Sequence, residues 1–166
     1  ISGQPNTYDE IYFYDGFGNL IQIKKEAENS RYAIYNIFYD ELGRDKLIVN
    51  PFFDERNNEY SLVSSKPKGY TYSYDSLGRV IKVTNPDDTK REFAYSPSTT
   101  LVTDENNHQT KYKYDAYDNI VTVFEYDNDD VYETHYTYDA NNNLVEIKDN
   151  ELNEIRYEYD SLGRKI

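Results

Sequence analysis

Residues 72–79 read YSYDSLGR, and the same phrase returns almost letter for letter as YEYDSLGR at residues 157–164. Weaker copies stand at 12–19 (YFYDGFGN), 38–44 (FYDELGR), 112–119 (YKYDAYDN) and 136–143 (YTYDANNN), with a worn copy, FAYSPSTT, at 93–100. Seven copies in 166 residues mark a repeat protein. The phrase has two halves. In Y-x-Y the aromatics are two apart, which on an extended chain places them on one face. In D-x-x-G the Asp carboxylate accepts a backbone N–H two residues on, and the fourth position takes the left-handed conformation. That position is Gly18, Gly43, Gly78, Asp118, Asn142 and Gly163 in the six intact copies, all residue types that tolerate positive φ. Arg or Asn follows, then an apolar alternation such as VIKV or LVEI that reads as the next strand.

The second Tyr of the phrase recurs at Tyr14, Tyr39, Tyr74, Tyr95, Tyr114, Tyr138 and Tyr159, in steps of 25, 35, 21, 19, 24 and 21 residues. A step near 21 holds two strands and two turns, so the expected fold is all-β, an array of antiparallel hairpins forming one long curved sheet. Length variation is expected in the second turn of each unit, where the sequence is polar and irregular. The 35-residue step predicts an enlarged hairpin over about 45–74. Triplets such as Tyr70/Tyr72/Tyr74, Thr134/Tyr136/Tyr138 and Ile155/Tyr157/Tyr159 predict a buried ladder of rings, and Ile21/Ile23, Ile81/Val83, Val121/Val123 and Val145/Ile147 predict matching aliphatic pairs. Asp45 stands where other units carry Leu, Val or Ile, which predicts a bulge in that unit. The array shows no atypical capping unit, so residues 1–166 read as a single domain excised from a longer array.

Composition narrows the function. Leu, Ile, Val and Phe total 37 residues, and with a net charge of −13 such a chain sits near the disordered range. The 20 tyrosines restore order, because each brings an apolar ring on a β-favouring backbone. There is no Cys, so disulfides and thiolate metal sites are excluded. With 31 Asp and Glu against 18 Lys and Arg, nucleic acid is not an expected partner. No apolar run reaches the length of a membrane-spanning helix, and no membrane insertion is expected.

The Y-x-Y-D-x-x-G-R phrase, followed by an apolar strand and a polar turn, resembles the YD repeat of Rhs proteins over residues 12–166. That group includes bacterial Rhs toxins, wall-associated YD-repeat proteins, the B and C components of insecticidal toxin complexes, and teneurins. The resemblance implies a strip of hairpins spiralling into a hollow shell, which in the toxins encloses a C-terminal effector. It also implies a secreted or cell-surface bacterial location, with adjacent repeats of the parent chain and an encapsulated toxin domain as partners. The aspartyl-protease-like core of that family has no matching motif here. Asp45, the SPSTT stretch from Ser96 and the 35-residue step depart from the pattern.

The expected role is therefore structural, with no catalysis, no cofactor and no metal. Asp15, Asp40, Asp75, Asp115, Asp139 and Asp160 recur at one turn, which reads as architecture rather than as a glycosidase-type carboxylate pair. Asp139, Asn141 and Asn143 match the opening of a calcium loop, but Leu144 and Asn150 replace the required Gly and Glu. The acidic outer turns, such as Asp127/Asp129/Asp130, offer loose cation binding or a solvated rim. His108 and His135 lack a third ligand. An alternative is surface adhesion, with carbohydrate bound by exposed Tyr and Asn. As an isolated piece the array is expected to self-associate.

Overall fold

The computed structural model describes residues 9–166. These contain fourteen β-strands in two compact units, one ending at Thr89 and the other running from Lys90 to Ile166. The first unit holds β1 (Glu10–Tyr14), β2 (Leu20–Ala27), β3 (Arg31–Tyr39), β4 (Asp45–Val49), β5 (Phe52–Glu55), β6 (Gly69–Tyr74) and β7 (Val80–Thr84). Its strands lie in the order β1-β2-β3-β4-β6-β7, with β5 paired to β3. The second unit is a plain meander of β8 (Lys90–Ser96), β9 (Thr99–Thr103), β10 (Gln109–Tyr114), β11 (Ile120–Asp127), β12 (Asp130–Tyr138), β13 (Leu144–Asp149) and β14 (Glu154–Arg156). All pairings within each unit are antiparallel, as the hairpin reading requires.

The first Tyr of each phrase faces an aliphatic residue of the outgoing strand: Tyr12↔Ile23, Tyr72↔Val83, Tyr112↔Val123 and Tyr136↔Ile147. The next hairpin places a different residue on the far side of that aliphatic, for instance Thr134 beyond Val123. Each first Tyr therefore has an aliphatic rather than another ring beside it on the outgoing strand, and the continuous ring-on-ring ladder expected from the triplets does not form. Strand spacing near 4.8 Å explains this, since equivalent tyrosines two strands apart are about 10 Å from each other. Nor is the tyrosine face buried throughout; Tyr12, Tyr14 and Tyr70 are exposed.

The register corrects the bulge expectation as well. A shift falls at Tyr14, Tyr39, Tyr74, Tyr114 and Tyr138, so the bulge belongs to five of the six D-x-x-G corners and not only to the one at Asp45. Tyr14 pairs with Leu20 and Phe13 with Gln22, which leaves Ile21 as the extra residue. Ile81, Val121 and Val145 are skipped in the same way. The first member of each expected aliphatic pair is thus a bulge residue, and the apolar residue before it meets the second Tyr. The worn copy is a different structure: Ser96 pairs with Thr99, closing a two-residue hairpin over Pro97 and Ser98.

The enlarged hairpin has two parts. Beyond Asn50 and Pro51 the chain continues along β3 as β5, pairing Phe52–Glu55 with Arg31–Ile34. At the branch, Gly69 of β6 pairs with Val49 so closely that a Cβ there would stand 2.2 Å from the Ile48 carbonyl oxygen. Residues 56–68 then cross the sheet face opposite the tyrosines as a strap without a strand of its own. Ser61 donates its N–H to Gln22 Oε1 at 2.9 Å, and Gln22 Nε2 donates to the Ser61 carbonyl at 2.9 Å. Asn36 Nδ2 donates to the Tyr60 hydroxyl at 3.1 Å, and the Tyr60 ring meets Phe13 edge-on at 5.8 Å. Lys24 Nζ donates to Asn57 Oδ1 at 2.9 Å, between the rings of Phe13 and Tyr32. Burial holds the Lys24 ammonium below the usual lysine range, against the pull of Asp54 and Glu59. Arg56 pairs with Asp9 and Glu26 at the end of the strap. Gln22, Lys24, Tyr32, Ile34 and Asn36 are the deeply buried side chains of this face, so the most enclosed part of the unit is largely polar.

Candidate functional site

The repeated corner is built identically six times. In each, the Asp N–H donates to the carbonyl four residues on, and the N–H of the fourth corner residue donates back to the Asp carbonyl. One carboxylate oxygen accepts the N–H groups two and four residues on. For Asp139 these are Asn141 at 2.9 Å and Asn143 at 2.8 Å. The other oxygen takes a side-chain donor from the fifth residue: Asn19, Arg44, Arg79, Asn119, Asn143 or Arg164. Arg and Asn alternate there because each carries an N–H that reaches that oxygen. Gly18, Gly43, Gly78, Asp118, Asn142 and Gly163 all have positive φ, between 63° and 87°.

These bonds act on the carboxyls. The Asn143 side-chain amide, then its backbone N–H, holds Asp139 below the usual carboxylate range. Asn19 does the same for Asp15 and the Arg44 guanidinium for Asp40, in each case seconded by the backbone. A carboxylate filled with N–H donors is a poor base and a poor cation ligand, which gives the physical reason the corner reads as architecture. Asn143 Nδ2 donates to Asp139 Oδ2 while Oδ1 takes two backbone N–H groups, so the loop opening with D-x-N-x-N fills the carboxylate oxygens a cation would need. Among the described residues no three His, Asp or Glu side chains converge in metal-binding geometry. His108 Nδ1 lies 3.2 Å from Asp104 Oδ2, in the place other corners give to Asn or Arg, and His135 sits 3.4 Å from both Glu133 and Thr122.

A second set of bonds joins corner to corner. The hydroxyl of the phrase's second Tyr donates to the first carbonyl of the preceding outgoing strand: Tyr39 to Leu20 at 2.9 Å, Tyr74 to Asp45 at 2.7 Å, Tyr138 to Ile120 at 3.1 Å and Tyr159 to Leu144 at 2.9 Å. Burial raises the Tyr39, Tyr74 and Tyr138 hydroxyls above the usual tyrosine range. The Arg44 guanidinium also lies over the Tyr74 ring at 4.4 Å. The second Tyr is therefore a tie between repeats, a role the Y-x-Y pattern alone does not disclose, because the acceptor is a main-chain oxygen about twenty residues earlier.

The corner also recurs where irregular turns were expected. Residues 85–89, 104–108 and 149–153 make the same closing pair of backbone bonds, with Asp88, Asn107 and Leu152 at positive φ. Their signal was present as Asn or Asp at the first position and Thr, His or Asn at the fifth.

The family model of the teneurin YD-shell matches residues 3–166. The chain belongs to that family. Solved structures similar to this YD-shell chain include the crystal structure of TcdB2-TccC3-Cdc42, at 21% identity and a TM-score of 0.78, covering 98% of this chain and 10% of that one. TcdB2-TccC3 without its hypervariable C-terminal region matches at 21% and 0.78, over 99% of this chain and 10% of that one. The Tc holotoxin pore of Photorhabdus luminescens matches at 19% and 0.69, covering 95% and 11%. This chain thus spans about a tenth of the length of the chains it matches, and at such identity the likeness shows the shared fold. No curated protein matches the sequence.

Proposed function

We propose that this chain is a structural wall segment, a single array of YD hairpins within a longer strip that builds a shell around an effector. It performs no catalysis, and its parent is a secreted or cell-surface protein. The observation that carries this reading is the corner itself: the groups that recur most, the Asp carboxylate and the second Tyr hydroxyl, are consumed by backbone ties within and between repeats. Residues with chemistry to perform would break that symmetry, whereas a wall repeats it. Adjacent repeats are then its first partners, and the enclosed domain a partner through the lumen face. Electron microscopy of the full-length parent tests the proposal. A closed, hollow particle with internal density is expected; a rod or an open sheet overturns the container role.

A further inference from the structure

Lys24 breaks the symmetry of the repeats. The residue that follows the aliphatic facing the first Tyr is Thr84, Phe124 or Lys148 in other units, so neither corner nor sheet calls for a lysine there. Lys24 is nevertheless fully enclosed, at 0% exposure, with Nζ 5.8 Å from the ring centroids of both Phe13 and Tyr32. Burying an ammonium is costly, and an apolar side chain would fill the same space without that cost. What Lys24 meets under the strap is a carboxamide: Nζ lies 2.9 Å from Asn57 Oδ1 and 3.4 Å from the Asn57 main-chain oxygen. The Glu59 N–H donates to the same Oδ1 at 3.0 Å. That bond fixes which end of the amide is oxygen, turns Nδ2 away from the lysine, and polarises the carbonyl as an oxyanion donor does. With a C=O bond of about 1.23 Å beyond Oδ1, Cγ is no more than about 4 Å from Nζ. Reacting atoms in a near-attack arrangement are about 3–3.5 Å apart, so a small shift suffices.

We infer that Lys24 and Asn57 are the two halves of an intramolecular isopeptide bond, formed by the folded chain itself, that ties the strap to β2. Nζ, as the uncharged amine, adds to Cγ while the carbonyl electron pair moves onto Oδ1, held there by the Glu59 N–H. Asp54 takes one proton from Nζ and delivers it to Nδ2. The pair then returns from Oδ1, the Cγ–Nδ2 bond breaks, ammonia leaves, and a secondary amide joins the two side chains. One amide replaces another, so no oxidant, reductant or cofactor is needed. Burial favours the reactive form, since it holds the ammonium below the usual lysine range against the pull of Asp54 and Glu59. Asn57 itself lies at the surface, which gives the ammonia a way out. The bond is a single self-modification; it adds no turnover to the wall reading and is independent of it.

Intact-mass spectrometry of the whole folded chain tests the inference. The chain is expected to be lighter than its sequence by one ammonia. A tryptic digest is expected to contain residues 1–25, uncut at Lys24, joined to the peptide that begins at Asn57, while Lys148 remains unlinked. Lys24→Arg and Asn57→Ala, each shown to be folded by circular dichroism, are expected to keep their full mass. Asp54→Asn is expected to link about a hundredfold more slowly after expression. A folded wild-type chain with the mass of its sequence overturns the inference and leaves the pair an ordinary hydrogen bond. Ammonia loss that persists in Lys24→Arg, or a link from Lys24 to a residue other than Asn57, overturns it equally. Linkage at the wild-type rate in Asp54→Asn overturns the proton relay.

Discussion

Gly69→Ala is the most demanding perturbation of the fold. The added methyl stands 2.2 Å from the Ile48 oxygen, 2.7 Å from Val49 Cα and 2.9 Å from the Ile48 carbonyl carbon, all main-chain atoms that cannot swing aside. To restore an ordinary contact β6 must retreat from β4 by about 1 Å, which strains the pairs Leu47↔Thr71, Ile48↔Tyr70 and Val49↔Gly69 and the bond from Asn50 N–H to the Lys68 carbonyl. Overpacking of this kind costs roughly 1–3 kcal/mol, and each weakened ladder bond adds up to about 1 kcal/mol. The expected loss is therefore about 3 kcal/mol, read in urea unfolding as a midpoint lowered by roughly 1–2 M. Gly16→Ala is the control, because a Cβ at Gly16 meets nothing within 4 Å. A Gly69→Ala chain whose midpoint matches that of Gly16→Ala would show that β4 and β6 are not packed as described.

Three further outcomes follow from the corner and the strap. Tyr39→Phe, Tyr74→Phe and Tyr138→Phe each remove one tie and are expected to cost about 1 kcal/mol in urea unfolding, while Tyr117→Phe, on an exposed ring, leaves stability unchanged. Gln22→Ala orphans both main-chain groups of Ser61 and is expected to cost roughly 2–4 kcal/mol; amide exchange at Ser61 should accelerate while that of β2 does not, and uniform acceleration would contradict a separable strap. The corner carboxyls titrate lower in the folded chain than in the unfolded one, so their contribution is complete above the ordinary Asp range near pH 3.9 and is lost as pH falls through the depressed folded values. Acid unfolding followed by circular dichroism should become shallower in an Asp139→Asn chain, and an unaltered acid limb would refute the assignment.

The hairpin array was legible because its signal is local. D-x-x-G-R specifies a backbone shape within five residues, and Y-x-Y fixes a face within three, so six copies could be read independently. The strap was not legible. Gln22 sits where other units place the half-buried Lys82 and Glu146, with Lys24 and Asn36 on the same face, and nothing local separates a covered polar residue from a solvated one. Their burial is decided by residues 56–61, between 24 and 39 positions away in sequence. The bulge escaped for a subtler reason: an alternation such as LIQI or VIKV keeps its apolar period through a skipped residue, so the letters look regular where the ladder is not. Asp45 merely made one of five such sites conspicuous.

The tyrosine ties bear on how such a strip yields to load. The Tyr39, Tyr74, Tyr138 and Tyr159 hydroxyls grip the carbonyl at the start of the preceding outgoing strand, so a pull that peels hairpins from one end meets a series of small latches rather than one large barrier. Rupture is then stepwise, with released lengths near the spacing of the repeats, and a terminal hairpin can fray and re-engage without disturbing those behind it.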